Sequence, residues 1–156
     1  MYHVSRTRLV LLAAAAALVA TGAHAAEKNA RFTSQVAAVC QLTVGDGLLQ
    51  PDASLAQLSS ENGGGVAAAV EAIANGGNFT LSLTAPTTFS SAPALYVSPT
   101  TFTTSMDASG ATTATDVDTL ALNAGTTNAT VDLTADAATG TFPAGFYAAE
   151  VVVTCE

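Results

Sequence analysis

The two cysteines of this chain, Cys40 and Cys155, each sit in the apolar register of an alternating run, 115 residues apart. From Phe32 to Val44 the even positions read Phe32, Ser34, Val36, Ala38, Cys40, Leu42 and Val44, against Thr33, Gln35, Gln41 and Thr43. From Tyr147 to Cys155 the odd positions read Tyr147, Ala149, Val151, Val153 and Cys155, against Glu150 and Thr154. Side chains alternate faces along a strand, so the pattern predicts that both cysteines point into one core. Few folds satisfy this: a first and a last strand must lie within disulfide reach.

Residues 1–25 have the three parts of a cleaved secretory signal. Arg6 and Arg8 supply positive charge, Leu9 to Ala20 is apolar throughout, and Ala23-His24-Ala25 places small residues at the cleavage positions. The apolar stretch is short for a bilayer span, which disfavours the alternative of a retained anchor. Cleavage after Ala25 leaves a domain of residues 26–156. No later stretch is long and apolar enough to span a membrane. The expected location is across the inner membrane, in the periplasm or at the cell surface. In such an oxidising compartment two in-register cysteines pair as a disulfide; two separate buried thiols are the alternative.

The mature stretch holds 131 of the 156 residues, enough for one domain with a sizeable core. The formal net charge of −8 becomes −10 once Arg6 and Arg8 are lost, and only Lys28 and Arg31 remain positive. Such a surface repels phosphate backbones and excludes nucleic acid as a partner.

Strand signals recur along the chain. Gly45-Asp46-Gly47 punctuates the first run. Ala53 to Leu58 reads as a helical turn or an edge strand. Val66 to Ala74 fits a helix or a strand, and its shortness and glycine-rich brackets favour the strand. Asn75-Gly76-Gly77-Asn78 then predicts a hairpin into Phe79–Thr84, where Phe79, Leu81 and Leu83 alternate with Thr80, Ser82 and Thr84. Leu95 to Val97, between Pro93 and Pro99, is at most an edge piece. Thr101–Met106 predicts a strand with Phe102 inward, and Thr130–Thr134 one with Val131 and Leu133 on one face. Ala137 to Gly145 is the last corner. The sum is an all-β chain: a single antiparallel, immunoglobulin-like β-sandwich of about seven or eight strands.

Chemistry is scarce. His3 and His24 both fall in the signal, so a histidine-based nucleophilic mechanism and imidazole-bound zinc are ruled out for the mature chain. Gly63-Gly64-Gly65 lacks the lysine and helix of a phosphate loop. Asp107, Asp116, Asp118, Asp132 and Asp136 could pair for glycoside hydrolysis, but aromatic residues, at 6%, are too few for the usual sugar cleft. Asp116-Val117-Asp118 reads as a solvated acidic loop rather than a calcium site. Asn78-Phe79-Thr80 and Asn128-Ala129-Thr130 match the glycosylation acceptor pattern. Tyr147 is expected to bury its ring at a corner and hydrogen-bond through its hydroxyl. The expectation is a protein that is not an enzyme, with no cofactor, no metal and no catalytic residue. Its only assigned site is the Cys40–Cys155 disulfide, and its binding residues are unassigned.

Ala30-Arg31-Phe32-Thr33-Ser34-Gln35-Val36-Ala37-Ala38-Val39-Cys40-Gln41-Leu42 resembles the opening of bacterial pilin subunits of the chaperone–usher type. Ala144-Gly145-Phe146-Tyr147 through Cys155 resembles their last strand, and spore-coat-U-like secreted proteins share these features. The resemblance implies a fimbrial or surface-fibre subunit: a structural or adhesive protein acting through β-strand edges, with itself or a periplasmic chaperone and usher as partners. Two departures matter. Cys155 stands where pilins place a penultimate tyrosine, and a second cysteine near Ala72 or Ile73 is missing. A Cys40–Cys155 bridge is therefore expected to narrow or close the groove that a donated strand fills. Ala26 to Arg31 is expected to be too short and polar to donate. The alternatives are a monomeric periplasmic or secreted binding module for a small ligand or carbohydrate and, less well supported, a small outer-membrane barrel, which lacks aromatic girdles.

Overall fold

The computed structural model describes residues 26–76 and 78–156, and its compact unit is Val36–Glu156. The fold is all-β, in two antiparallel sheets. Ten strands form: β1 (Cys40–Val44), β2 (Gln50–Pro51), β3 (Gln57–Ser59), β4 (Ala68–Ala74), β5 (Thr80–Thr84), β6 (Thr100–Gly110), β7 (Ala114–Val117), β8 (Thr119–Ala121), β9 (Gly125–Ala137) and β10 (Val152–Cys155). The count exceeds seven or eight because two long strands are each broken in two.

β9 organises the larger sheet. Along its length Thr127, Ala129, Val131, Leu133 and Ala135 point inward and are buried, while Asn128 and Thr130 face solvent. One edge of β9 takes β4 along Gly125–Val131 and β3 along Thr134–Asp136, so β3 and β4 lie end to end. Its other edge takes β6, which in turn pairs with β7. β1 pairs with β4 and β2 with β3, making one outer strand with an irregular middle. The break is stitched by backbone bonds between Leu48 and Val66 of 2.7 and 2.9 Å. Gly65 is obligatory there, because a Cβ would collide with the carbonyls of Ser59 and Ser60.

The smaller sheet has the order β10-β5-β8. The two sheets close on a core in which Val70, Ala72, Met106 and Val131 of the larger sheet meet Leu81 of the smaller. Leu81 and Met106 are fully buried. The alternation expected of Val66–Ala74 holds: Val70, Ala72 and Ala74 are inward, and the segment is a strand. The hairpin expected at Asn75–Asn78 does not form. β4 and β5 belong to different sheets, and the connection crosses between layers. Glycines and asparagines allow a reversal, but which edge receives the next strand is decided by the core.

A second cluster fills the end far from the cysteines. Leu58, Ala135 and Phe142 are buried there with Phe89, Tyr96, Phe102 and Tyr147 around them. Most of the rings pack edge to face, with Phe89 and Phe102 centroids 4.9 Å apart, while Tyr96 and Phe142 stack at 5.0 Å. Tyr147 plays the corner role: its hydroxyl donates to the Pro143 carbonyl at 2.9 Å. Burial, and then the neighbouring Tyr96, hold that hydroxyl's pKa above the usual tyrosine value.

Candidate functional site: an apolar groove between two unpaired edges

Cys40 and Cys155 are bonded, with their Cα atoms 6.3 Å apart. β1 runs away from the bridge and β10 runs towards it, so the two strands are antiparallel across the gap between sheets. They are not ladder partners. β1 pairs only with β4 and β10 only with β5, so each presents one edge that no strand among the described residues covers.

Beyond the disulfide these edges diverge and a groove of about 430 Å³ opens. One wall is Val44 to Leu49, continuing from β1, and the other is Ala149 to Val151 with Val153, leading into β10. The floor is largely apolar, made by Ala68, Val70, Val131 and Leu133, with Ser60 beside Leu133. The backbone of the first wall is fixed from behind: Gly45 N–H donates to Ala69 O at 2.8 Å. Gly47 lies so close to Val66 that an added Cβ would come within 3.0 Å of its carbonyl oxygen. Asp46 and Glu150 put one carboxylate on each wall. Of the two outcomes expected of the bridge, the groove is narrowed at one end and is not closed along its length.

The N-terminal stretch also departs from expectation. The first run was expected to be strand from Phe32, yet β1 begins at Cys40, whose partner Ala74 ends β4. With no β4 left to pair, Ala26–Val39 forms no strand and is exposed throughout, Phe32 by 92% and Val36 by 79%. A longer extended segment is therefore free than Ala26–Arg31, and its later part is apolar on alternate residues. Its last residues are held: Asn75 donates from Nδ2 to Ala37 O at 2.9 Å and accepts from Val39 N–H at 2.7 Å.

Of the five carboxylates considered for catalysis, three accept hydrogen bonds from neighbouring groups. Asp107 Oδ1 accepts the Asp116 N–H at 2.8 Å, Asp132 Oδ1 the Ser60 hydroxyl at 2.7 Å, and Asp136 Oδ1 the Gln57 amide at 2.9 Å. Asp118 is exposed and its carbonyl caps Leu83 N–H at 2.8 Å. Asn128 lies on the outward face of β9, and Asn78 in the connection before β5. Sequence reading missed the groove walls. Gly45-Asp46-Gly47 registers as punctuation, and only the pairing of β1 on one side alone turns it into a wall.

Comparison with protein-family models, curated proteins and solved structures finds no match.

Proposed function

We propose that this chain is a non-catalytic, extracytoplasmic structural or adhesive subunit that associates with copies of itself by β-strand addition. The observation that carries the reading is the groove: a largely apolar floor between the chain that continues from β1 and the chain that leads into β10, two strands that each leave one edge unpaired among the described residues. An extended segment laid between β1 and β10 would pair its backbone with both edges and sink alternate side chains into the floor. The stretch from Phe32 has that alternation, and up to Val36 it pairs with no strand among the described residues. Charge favours the match. Lys28 and Arg31 are the only cations after the signal, whereas everything beyond Arg31 is acidic or neutral, including Asp46 and Glu150 on the groove walls. The disulfide suits an oxidising compartment. A periplasmic chaperone would hold the same groove before assembly.

The test uses the mature chain, residues 26–156. Sedimentation velocity is expected to show oligomers that persist in mild denaturant. Phe32→Asp with Val36→Asp alters exposed residues only, so the fold is retained while assembly is lost. A wild-type chain that stays monomeric at high concentration, and does not bind a peptide of residues 28–39, would count against strand addition and leave the ligand-binding module to be screened.

A further inference from the structure

We infer that successive copies meet at the pole opposite the disulfide, on an apolar surface formed by Leu95, Val97 and Phe146. This rests on the strand-addition reading, and it names the second contact that reading requires.

The direction of an added strand is fixed by the bridge. Between two ladder partners the added strand needs about 4.8 Å on each side, or roughly 10 Å in all. At Cys40 and Cys155 the backbones are 6.3 Å apart, so no strand passes there. The chain leading from the seated segment back to its own body must leave past Leu49 and Ala149. The segment then runs parallel to β1 and antiparallel to β10, and the donor's body lies at the far pole.

That body cannot stand off. Spanning the wall from Val44 to Leu49 takes about six residues, or roughly 20 Å. If Phe32 begins the seated stretch, it ends at Ala37 and only Ala38 and Val39 remain before Cys40, with Val39 bonded to Asn75. Two extended residues cover about 7 Å. The donor's Cys40 pole, with its exposed Val39, must therefore press on the acceptor's far pole.

The far pole carries a surface suited to this. Tyr96 and Tyr147 turn inward, their ring centroids 5.6 Å apart. Their chain neighbours point outward: Leu95 is 84% exposed, Val97 88% and Phe146 74%. Pro93 lies against Gly145, so the loop that carries Leu95 and Val97 meets the turn that carries Phe146. Large apolar side chains grouped on the surface of a chain this acidic call for a partner, and a second copy is the one that the length of the link delivers.

The experiment separates this surface from the groove. Leu95→Ser, Val97→Ser and Phe146→Ser are combined in the mature chain and in the non-assembling Phe32→Asp/Val36→Asp chain. The peptide of residues 28–39 is titrated into the second pair by fluorescence polarisation, and assembly of the first pair is followed by sedimentation velocity. The expected result is unchanged peptide affinity with assembly weakened about tenfold or more, a loss of at least about 1.4 kcal/mol. Peptide binding with wild-type assembly of the triple variant would overturn the far-pole contact and leave strand addition standing. Weaker peptide binding to the triple variant would also overturn it, since the patch would then belong to the groove. Failure of the peptide to bind either receptor would remove strand addition itself.

Discussion

Breaking the Cys40–Cys155 bond is the perturbation with the largest expected effect on this fold. The bond spans a sequence separation of 115 residues. Constraining an unfolded loop of that length removes about 16 cal/mol/K, or about 5 kcal/mol at 25 °C. Net stabilities of single domains are about 5–15 kcal/mol, so reduction should remove a third or more of the total. The position of the bond argues for the upper part of that effect. β10 is joined to the rest of the fold by its four-residue pairing with β5, by core contacts and by the disulfide. The assay is urea unfolding followed by far-ultraviolet circular dichroism, with and without a phosphine reductant, on the non-assembling chain. A urea m-value of about 2 kcal/mol/M converts 5 kcal/mol into a midpoint lower by about 2.5 M. Cys40→Ala with Cys155→Ala should reproduce that shift. A midpoint that moves by less than about 0.5 M, or about 1 kcal/mol, would refute the claim that this bond is the main staple.

Three further outcomes test the reading of the interior. Thr127 points into the core with its hydroxyl unpartnered; Thr127→Val should raise stability by about 1 kcal/mol, and a lower urea midpoint would show that the hydroxyl has a partner after all. Tyr147→Phe removes the bond to Pro143 and should cost about 1 kcal/mol at neutral pH. Because the folded pKa of Tyr147 is raised, its contribution is whole below the unfolded value near 10 and fades as pH rises through the folded one, so the variant should lose less stability above pH 10 than the wild type. Asp52 behaves oppositely. The Ser54 hydroxyl, then the Gln57 and other backbone N–H groups, hold its pKa below the usual carboxylate value, so the β2–β3 turn should loosen as pH falls through the acid range; in Ser54→Ala, carboxyl titration by NMR should show that pKa moving up.

Much of the architecture was legible because alternation is a local signal. Val66–Ala74 buries Val70, Ala72 and Ala74 as its pattern requires, and Thr130–Thr134 expands into β9 with Val131 and Leu133 inward. The cysteines paired because both stood in the apolar register at the ends of the sandwich. What was not legible is non-local. Asn75-Gly76-Gly77-Asn78 has hairpin chemistry, but Leu81 finds the core only from the opposite sheet, so tertiary burial overrides turn preference. The groove escaped for the same reason. It consists of edges left without partners, and a missing partner leaves no mark in the residues that lack it.

The stretch from Phe32 to Val39 shows what alternation alone can establish. Its even positions, Phe32, Val36 and Ala38 with Ser34 between, continue the phase of β1 through Cys40. Yet the ladder stops at Cys40: past Ala74 only Asn75 bonds back, to Val39 and Ala37. Period two reports fitness to lie on a half-buried pleated surface; it does not report whose surface. A solvated linker has no need of Phe32 or Val36, and exposing them costs solubility without return. The segment has strand chemistry without a place in its own sheets, and the groove beside Val44–Leu49 has a place without a strand. That complementarity within one sequence is the physical ground for looking to a second copy before any other partner.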